Sequence, residues 1–255
     1  MRSRVRIAAA AGDSGTVLEE LAGTEPWRPR LLARSGASAR VALVQTRASI
    51  LRGDAVELSI SVGDGAVLEL VEIGATLTHH ARGGARAQIL VDVGVGDGGR
   101  LTWLGAPVIV ARGADVRRTM FVELAGCGRM LLGESVVLGR AHEPYGALSS
   151  RTRIVCGGRP TIDETLETGD ADTLCSPVVA GEAGVIAALT LAGVRDDAPP
   201  AGAMQAYGPA TLWRAAGGAV EVARSSARVA ERWRGVVGEP EGQEHQARRE
   251  LTPRA

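Results

Sequence analysis

Residues 91–104 read VDVGVGDGGRLTWL, and Gly94, Gly96 and Gly99 have the G-x-G-x-x-G spacing of a dinucleotide-binding loop. In such a loop a strand leads into a helix, and the amides at the start of that helix hold the phosphate. Alternating apolar residues up to Val95 predict the leading strand, but the residues from Leu101 onward predict a second strand instead of a helix. The spacing therefore predicts a tight turn between two strands.

The same turn occurs elsewhere in the chain. Residues 62–65 read VGDG and lie 33 residues before the identical residues 95–98, and a leucine follows each copy at the same distance. A weaker copy, Gly126–Gly128, comes 30 residues later, with Leu131 in the corresponding place. A recurrence near this period is typical of stacked β units, each too thin to bury its own apolar face.

The chain is therefore predicted to be mainly β, a β-helix-like stack of short strands with one or two short helices. The predicted strands are 54–62, 66–73, 88–95, 100–104, 107–111, 117–124, 129–138, 150–156, 161–167 and 185–193. Apolar residues at helical spacing predict an amphipathic helix over 218–234, ending at Gly235. We expect a single domain over residues 1–235, and a disordered tail over the polar residues 236–255.

Composition excludes several classes of function. All 29 basic residues are arginine, so the chain has no lysine for a Walker-type nucleotide site or for Schiff-base catalysis. The formal net charge is zero, which argues against binding to nucleic acid or to a membrane surface. Three cysteines without a C-x-x-C pair indicate a reducing compartment, and we expect a soluble, cytoplasmic protein.

The chain carries no recognisable catalytic motif, since G-x-S-x-G and H-E-x-x-H are both missing. His79 and His80 are adjacent imidazoles that could contact a metal such as nickel, or could be solvated loop residues. In the segment TIDETLE, Glu164 should face away from Asp163 and Glu167 on a strand, so the three carboxylates do not form a catalytic pair. We therefore expect a protein that is not an enzyme.

Three segments together resemble the UreD (UreH) family of urease accessory proteins. They are residues 53–70, GDAVELSISVGDGAVLEL, then residues 73–126, from IGATLTHH to MFVELAG, and residues 133–146, GESVVLGRAHEPYG. The resemblance covers roughly residues 43–170 and returns more faintly in residues 208–234. It implies a β-helix-like chaperone that binds apo-urease, recruits UreF and through it the GTPase UreG, and helps to deliver Ni2+, with no tightly bound cofactor.

The resemblance also assigns candidate residues to the nickel path. Gly53-Asp54 corresponds to a Gly-Asp motif of the family, and its acidic residue is associated with an internal path for nickel, so Asp54 is the leading candidate. Residues 139–143 match a Gly-Arg segment in which His142 replaces an expected glycine and is followed by Glu143. His79 and His80 complete the set of transient nickel ligands that we predict.

Two other functions fit a stack of strands. A carbohydrate-active β-solenoid enzyme would need paired carboxylates or a basic cluster on one face, and the absent lysine and neutral charge weigh against it. A binding scaffold without a metal role would retain neither apo-urease nor UreF in a pull-down. These alternatives stay open at the level of the sequence.

Overall fold

Strict alternation of apolar and polar residues produces long, one-face-buried strands. In the computed structural model, which describes residues 1–80, 84–176 and 179–238, Val56, Leu58, Ile60 and Val62 are each buried while the residues between them are exposed or half-buried. A period of two places one set of side chains on each face of a sheet. The buried sets of the two sheets form one continuous core.

The described residues contain eighteen strands and two helices. The strands are β1 Arg2–Gly12, β2 Gly15–Gly23, β3 Trp27–Ser35, β4 Ser38–Gln45, β5 Ser49–Leu51, β6 Ala55–Val62, β7 Val67–Ile73, β8 Thr76–His79, β9 Ala87–Val95, β10 Arg100–Leu104, β11 Val108–Val110, β12 Asp115–Leu124, β13 Arg129–Leu138, β14 Ala147–Cys156, β15 Arg159–Glu167, β16 Val185–Ala192, β17 Ala203–Gln205 and β18 Ala210–Gly217. The helices are α1 Ala171–Leu174 and α2 Ala219–Gly238.

The strands form two facing sheets. Sheet A has seven strands in the order β15-β14-β12-β9-β6-β1-β2, and sheet B has the path β17-β18-β16-β13-β10-β7-β4-β3 with β5, β8 and β11 attached beside it. Successive coils of the chain lie parallel in both sheets, as β6, β9 and β12 do in sheet A and β7, β10 and β13 do in sheet B. This is the predicted β-helix-like stack, and the mainly β fold is confirmed.

The recurring glycine turn is the corner between the two sheets. Residues 63–66, 96–99 and 125–128 join β6 to β7, β9 to β10 and β12 to β13. Val62 pairs with Val95, and Leu68 pairs with Leu101, which confirms the 33-residue repeat. The third copy is shifted by one residue from our alignment, because Leu101 pairs with Met130 and not with Leu131.

Antiparallel strands close both ends of the stack. The hairpins β1–β2 and β3–β4 form one end, and β15, β16, β18 and β17 form the other. The sequence does not predict the strands before residue 54, those after residue 193, or β8. The ten predicted strands all occur, with ends displaced by at most three residues.

Helix α2 covers the outer face of sheet B. Four of its five buried residues, Val229, Ala230, Trp233 and Val237, pack in one cluster with Leu189 and Leu191 of β16 and with Leu131 of β13. The helix continues to Gly238, beyond the predicted end at Gly235, because the buried Val237 extends its apolar face by one turn. Residues 236–238 are thus helical and not part of a tail, while residues 239–255 lie outside the described residues.

Candidate functional site

A cavity of about 210 Å³ lies between the two sheets. Its apolar part is lined by residues such as Trp27, Leu43 and Leu58 near the amino-terminal end of the stack. Towards the other end its walls carry five ionisable side chains, which we call the charged row. The charged row consists of Glu72, Arg118, Glu134, Arg214 and Glu164.

The row arises because several strands place a charged residue on their inward face. Arg118 follows the buried Val116 and precedes the buried Met120 on β12, and Glu134 lies between the buried Leu132 and Val136 on β13. Since inward positions alternate along a strand, both side chains must point between the sheets. The register places Arg118 beside the apolar Ile89 of β9 and beside Ser150 of β14, so the polar groups gather towards the later coils.

Glu72 stands at the apolar end of the row. It accepts hydrogen bonds from Trp103 Nε1 at 2.9 Å and from the backbone N–H of Ala106 at 3.2 Å. Burial raises the pKa of Glu72, because removal from bulk water penalises the carboxylate more than these donors and Arg118 stabilise it. The carboxyl group is only half-buried by surface area because it faces the cavity.

Glu134 and Arg118 form an ion pair in the middle of the row. Arg118 also donates to Ser150 Oγ at 3.3 Å, and Thr152 Oγ1 donates to Glu134 Oε2 at 3.2 Å. At the far end Arg214 pairs with Glu164. Burial lowers the pKa of Arg214, and the charge of Glu134 partly offsets this shift. The row therefore alternates in sign from Glu72 to the last strands of the stack.

Carboxylate, hydroxyl and backbone oxygens in such a row can stabilise a cation that moves along it. Among the described residues, no three His, Cys, Asp or Glu side chains are close enough together to hold a metal ion. The cavity is thus equipped for weak, successive contacts and has no preformed chelating site in the described part of the chain.

The leading sequence candidate, Asp54, is buried at 4% exposure in the turn between β5 and β6, outside the cavity lining. Its carboxylate accepts hydrogen bonds from the amino terminus of Met1 at 2.9 Å, from Arg47 at 3.1 Å and from the N–H of Leu51 at 2.9 Å. Burial alone would raise the pKa of Asp54, but these three donors together lower it. Asp54 therefore joins three parts of the chain.

The other four sequence candidates lie at the same corner of the stack. His79 ends β8, its ring centroid lies 5.0 Å from that of the exposed His80, and a Cβ on Gly113 would come within 3.1 Å of His80 Cβ. The structure thus turns both rings towards each other, although adjacent strand residues usually face apart.

His142 and Glu143 belong to the loop between β13 and β14, which passes close to the same turn. Glu143 accepts a hydrogen bond from the N–H of Arg112 at 3.4 Å and pairs with Arg140 through two contacts of 2.7 and 2.9 Å. The guanidinium of Arg140 lowers the pKa of Glu143 to about 2. His142 is exposed and has a φ of 64°, a value at which glycine is unstrained. The five candidates share a corner without forming a metal cluster.

Four residues of the charged row were not predicted as site residues from the sequence, namely Glu72, Arg118, Glu134 and Arg214. A signal for three of them is visible, since each interrupts the apolar face of an alternating strand, as Glu72 does after Leu68 and Leu70. A charge on a core-facing position indicates a polar interior or a partner for that charge. Glu164 was correctly expected to face away from Asp163 and Glu167, and the structure directs it into the cavity.

Comparison with known proteins identifies the family of this chain. The family model of the UreD urease accessory protein matches residues 1–244. The urease accessory protein UreD 1 of Streptomyces griseus subsp. griseus is 41% identical over 172 residues, covering 68% of this chain and 67% of the relative. The UreD 2 protein of Saccharopolyspora erythraea is 37% identical over 183 residues, covering 71% of this chain and 65% of the relative.

These relatives carry the names of accessory proteins and not of enzymes. Within the described ranges, no helix has the length and apolar character required to cross a bilayer. The match over residues 1–244, the identity of 41% and the stack of parallel coils lead to one conclusion. The chain belongs to the UreD family of urease accessory proteins and has a role in urease maturation.

Proposed function

We propose that this chain carries Ni2+ in transit to apo-urease, in a complex with UreF and, through UreF, with the GTPase UreG. Support comes first from family membership, which places the protein in urease maturation. The observation that carries the proposal is the charged row, a line of ionisable side chains inside an otherwise apolar core. Such a row has a clear use if an ion moves between the sheets.

The chemistry of the row suits a cargo that must be released. Ni2+ binds tightly to sites that combine several nitrogen, sulfur or carboxylate ligands, and a tight site would retain it. Glu72, Glu134 and Glu164 instead lie apart, each with its own hydrogen-bonding partners. We propose that Ni2+ passes these carboxylates one after another, with no cofactor bound permanently.

Asp54, His79, His80, His142 and Glu143 remain predicted contacts of the nickel path. In this proposal they serve at the corner of the stack, outside the cavity. Asp54 and Glu143 are already paired with cationic groups, so Ni2+ would have to displace those groups before it could bind either carboxylate. Glu72 accepts its hydrogen bonds from the neutral donors Trp103 Nε1 and Ala106 N–H, so we rank it above Asp54 as a residue that contacts the ion.

The test is nickel loading of urease co-produced with UreF, UreG and variants of this chain. Glu72→Gln removes a carboxylate from the cavity while keeping its size, and we expect the nickel content and activity of urease to fall several-fold. Glu123→Gln is the matched control, because Glu123 lies on the outer face of β12 and is exposed. Equal nickel content with the two variants would contradict the proposal.

Retention of the partners separates a carrier from a scaffold without a metal role. We expect the wild-type chain and Glu72→Gln to retain apo-urease and UreF equally in a pull-down, because the substitution lies inside the protein. Loss of both partners with Glu72→Gln would show that the variant acts through folding. A wild-type chain that retains neither apo-urease nor UreF would contradict the proposed function.

A further inference from the structure

The charged row contains two guanidinium groups, which a simple cation path would not need. Arg118 contacts Glu134 and Ser150, and Arg214 contacts Glu164. An arginine stays protonated throughout the physiological pH range. Both positive charges are therefore permanent features of the cavity and cannot be removed by deprotonation.

The two arginines nearly balance the carboxylates around them. Three carboxylates, Glu72, Glu134 and Glu164, face two guanidiniums, so the fully ionised row carries one net negative charge. The side chains of Arg118 and Glu134 are only 14% and 20% exposed, so water screens their charges weakly. Without the arginines, three mutually repelling carboxylates would attract a divalent cation strongly.

The position of Arg118 makes it the main counter-ion. It faces Glu134 from the opposite sheet, its charge acts on Glu72, and it is tied to Ser150 on the neighbouring strand. Thr152 holds the same Glu134 from the side of sheet A. A cation that approaches Glu134 therefore meets a fixed positive charge and a carboxylate that already has two partners.

We infer that Arg118, assisted by Arg214, is a positioning residue that keeps the affinity of the cavity for divalent cations low, so that a bound ion leaves again. The inference rests on the proposed function, and it adds a reason for the arginines within the same site. Arg118 acts through Glu134 and does not itself contact the ion. Without Arg118 the cavity binds the divalent cation tightly and releases it slowly.

The test measures binding of Ni2+ to the full-length chain by calorimetry or equilibrium dialysis. A nearby opposite charge shifts the proton affinity of a carboxylate by about 10- to 1000-fold, and a divalent cation should respond at least as strongly. We expect Arg118→Gln to bind Ni2+ at least about tenfold more tightly than wild type. Arg118→Lys, which restores the positive charge, should return the affinity towards that of wild type.

A matched control lies one residue away. Arg117 is exposed on the outer face of β12, so Arg117→Gln removes the same charge from the same strand and should leave Ni2+ affinity unchanged. The double variant Arg118→Gln with Glu134→Gln should lose the gain, because the carboxylate that the arginine neutralises is gone. If Arg118→Gln does not fold, Arg214→Gln tests the same idea at the last strands of the stack.

Three outcomes would overturn the inference: a wild-type affinity for folded Arg118→Gln, an equal gain in Arg117→Gln, or a gain that survives loss of Glu134. The proposed function fails in a different way, through equal nickel loading of urease with Glu72→Gln and Glu123→Gln. Tighter binding by Arg118→Gln together with lower nickel transfer to urease would support both.

Discussion

His142 has an unusual backbone geometry, at a position where the sequence resemblance leads us to expect a glycine. Within the described part of the chain, His142 is the one residue other than glycine that has a positive φ, at 64°. Residues 139–143 resemble a Gly-Arg segment of the family in which a glycine is expected at the position of His142. The structure gives the reason, since a side chain is strained in the left-handed region whereas glycine is not.

His142→Gly should therefore stabilise the protein by up to about 1 kcal/mol, because glycine adopts a positive φ without strain. The gain is limited because glycine also has greater conformational freedom in the unfolded chain. The free energy of unfolding by urea measures the effect. His80→Gly, at an exposed histidine near the same turn, is the control and should bring no gain. A lower stability for His142→Gly would show that the imidazole makes a favourable interaction that outweighs the strain.

At the scale of single residues, the sequence predicted the alternation of buried and exposed positions in the strands, but it did not reveal the hydrogen-bonding partners of individual side chains. Asp54 stays a predicted contact of the nickel path, and the structure shows that its carboxylate joins the amino terminus, Arg47 and Leu51. Such a role depends on groups that lie up to 53 residues away in the chain. No local pattern contains that information.

Among the elements, the glycine turns show how a nucleotide-like motif serves a different purpose. A Cβ on Gly96 would come within 2.3 Å of Asp64 Oδ1 and 2.7 Å of Asp64 N in the preceding coil. Asp64 Oδ1 in turn accepts a hydrogen bond from the N–H of Asp97 at 2.8 Å, and Asp97 Oδ1 accepts one from the N–H of Cys127 at 2.7 Å. The glycine permits close contact between coils, and the aspartates join successive turns.

Gly96→Ala should consequently destabilise the protein by about 1–3 kcal/mol, because the coils must separate to admit a methyl group. Gly94→Ala is the control within the same motif, since a Cβ at Gly94 meets nothing within 4 Å. That variant should be neutral or slightly stabilising. The free energy of unfolding of the two variants is measured by thermal or urea denaturation. Equal losses of stability would contradict a steric role for Gly96.

Element prediction succeeded for several strictly alternating strands, but it missed β1, whose buried residues also alternate, as well as short and irregular strands. The strands β6, β9 and β12 alternate along most of their length and were found. β3 has six exposed residues in succession and a register shift near Leu31, and β5 and β17 have three residues each, so these strands give no period-two signal. They form because neighbouring strands pair with them.

In the whole molecule, one buried carboxylate adds to the apolar packing that holds helix α2 on the stack. Asp196, at 3% exposure in the loop between β16 and β17, accepts two hydrogen bonds from Arg232 at 2.7 and 2.8 Å and one from Trp233 Nε1 at 2.9 Å. The Arg232 guanidinium, with the indole and the N–H of Ala198, lowers the pKa of Asp196 to about 2 against the opposing effect of burial.

Because the folded pKa lies below the unfolded value, Asp196 stabilises the protein above about pH 4, and this contribution is lost as the pH falls towards 2. Asp196→Asn should cost about 2 kcal/mol at pH 7, and the difference from wild type should shrink at acidic pH. Urea unfolding at several pH values measures both. Asp163→Asn removes an exposed carboxylate that Arg151 also binds through two contacts, and it should have little effect.

The cavity could not have been found from the sequence, because it depends on register between coils that lie about 30 residues apart. Arg118 meets Glu134 across the two sheets, and each is an isolated exception within its own strand. The stack itself was predictable from the repeated turn, since three successive coils use a four-residue turn at the same corner. The pairing of charges within the row was not, since its members come from five strands that share no local motif.

The two corners of the stack differ in how much variation they accept. The glycine corner always has four residues, at 63–66, 96–99 and 125–128, whereas the opposite corner has seven at 80–86, four at 111–114 and eight at 139–146. Insertions should accordingly be accommodated more readily at the opposite corner, where the loop length already differs from coil to coil, than at the glycine corner.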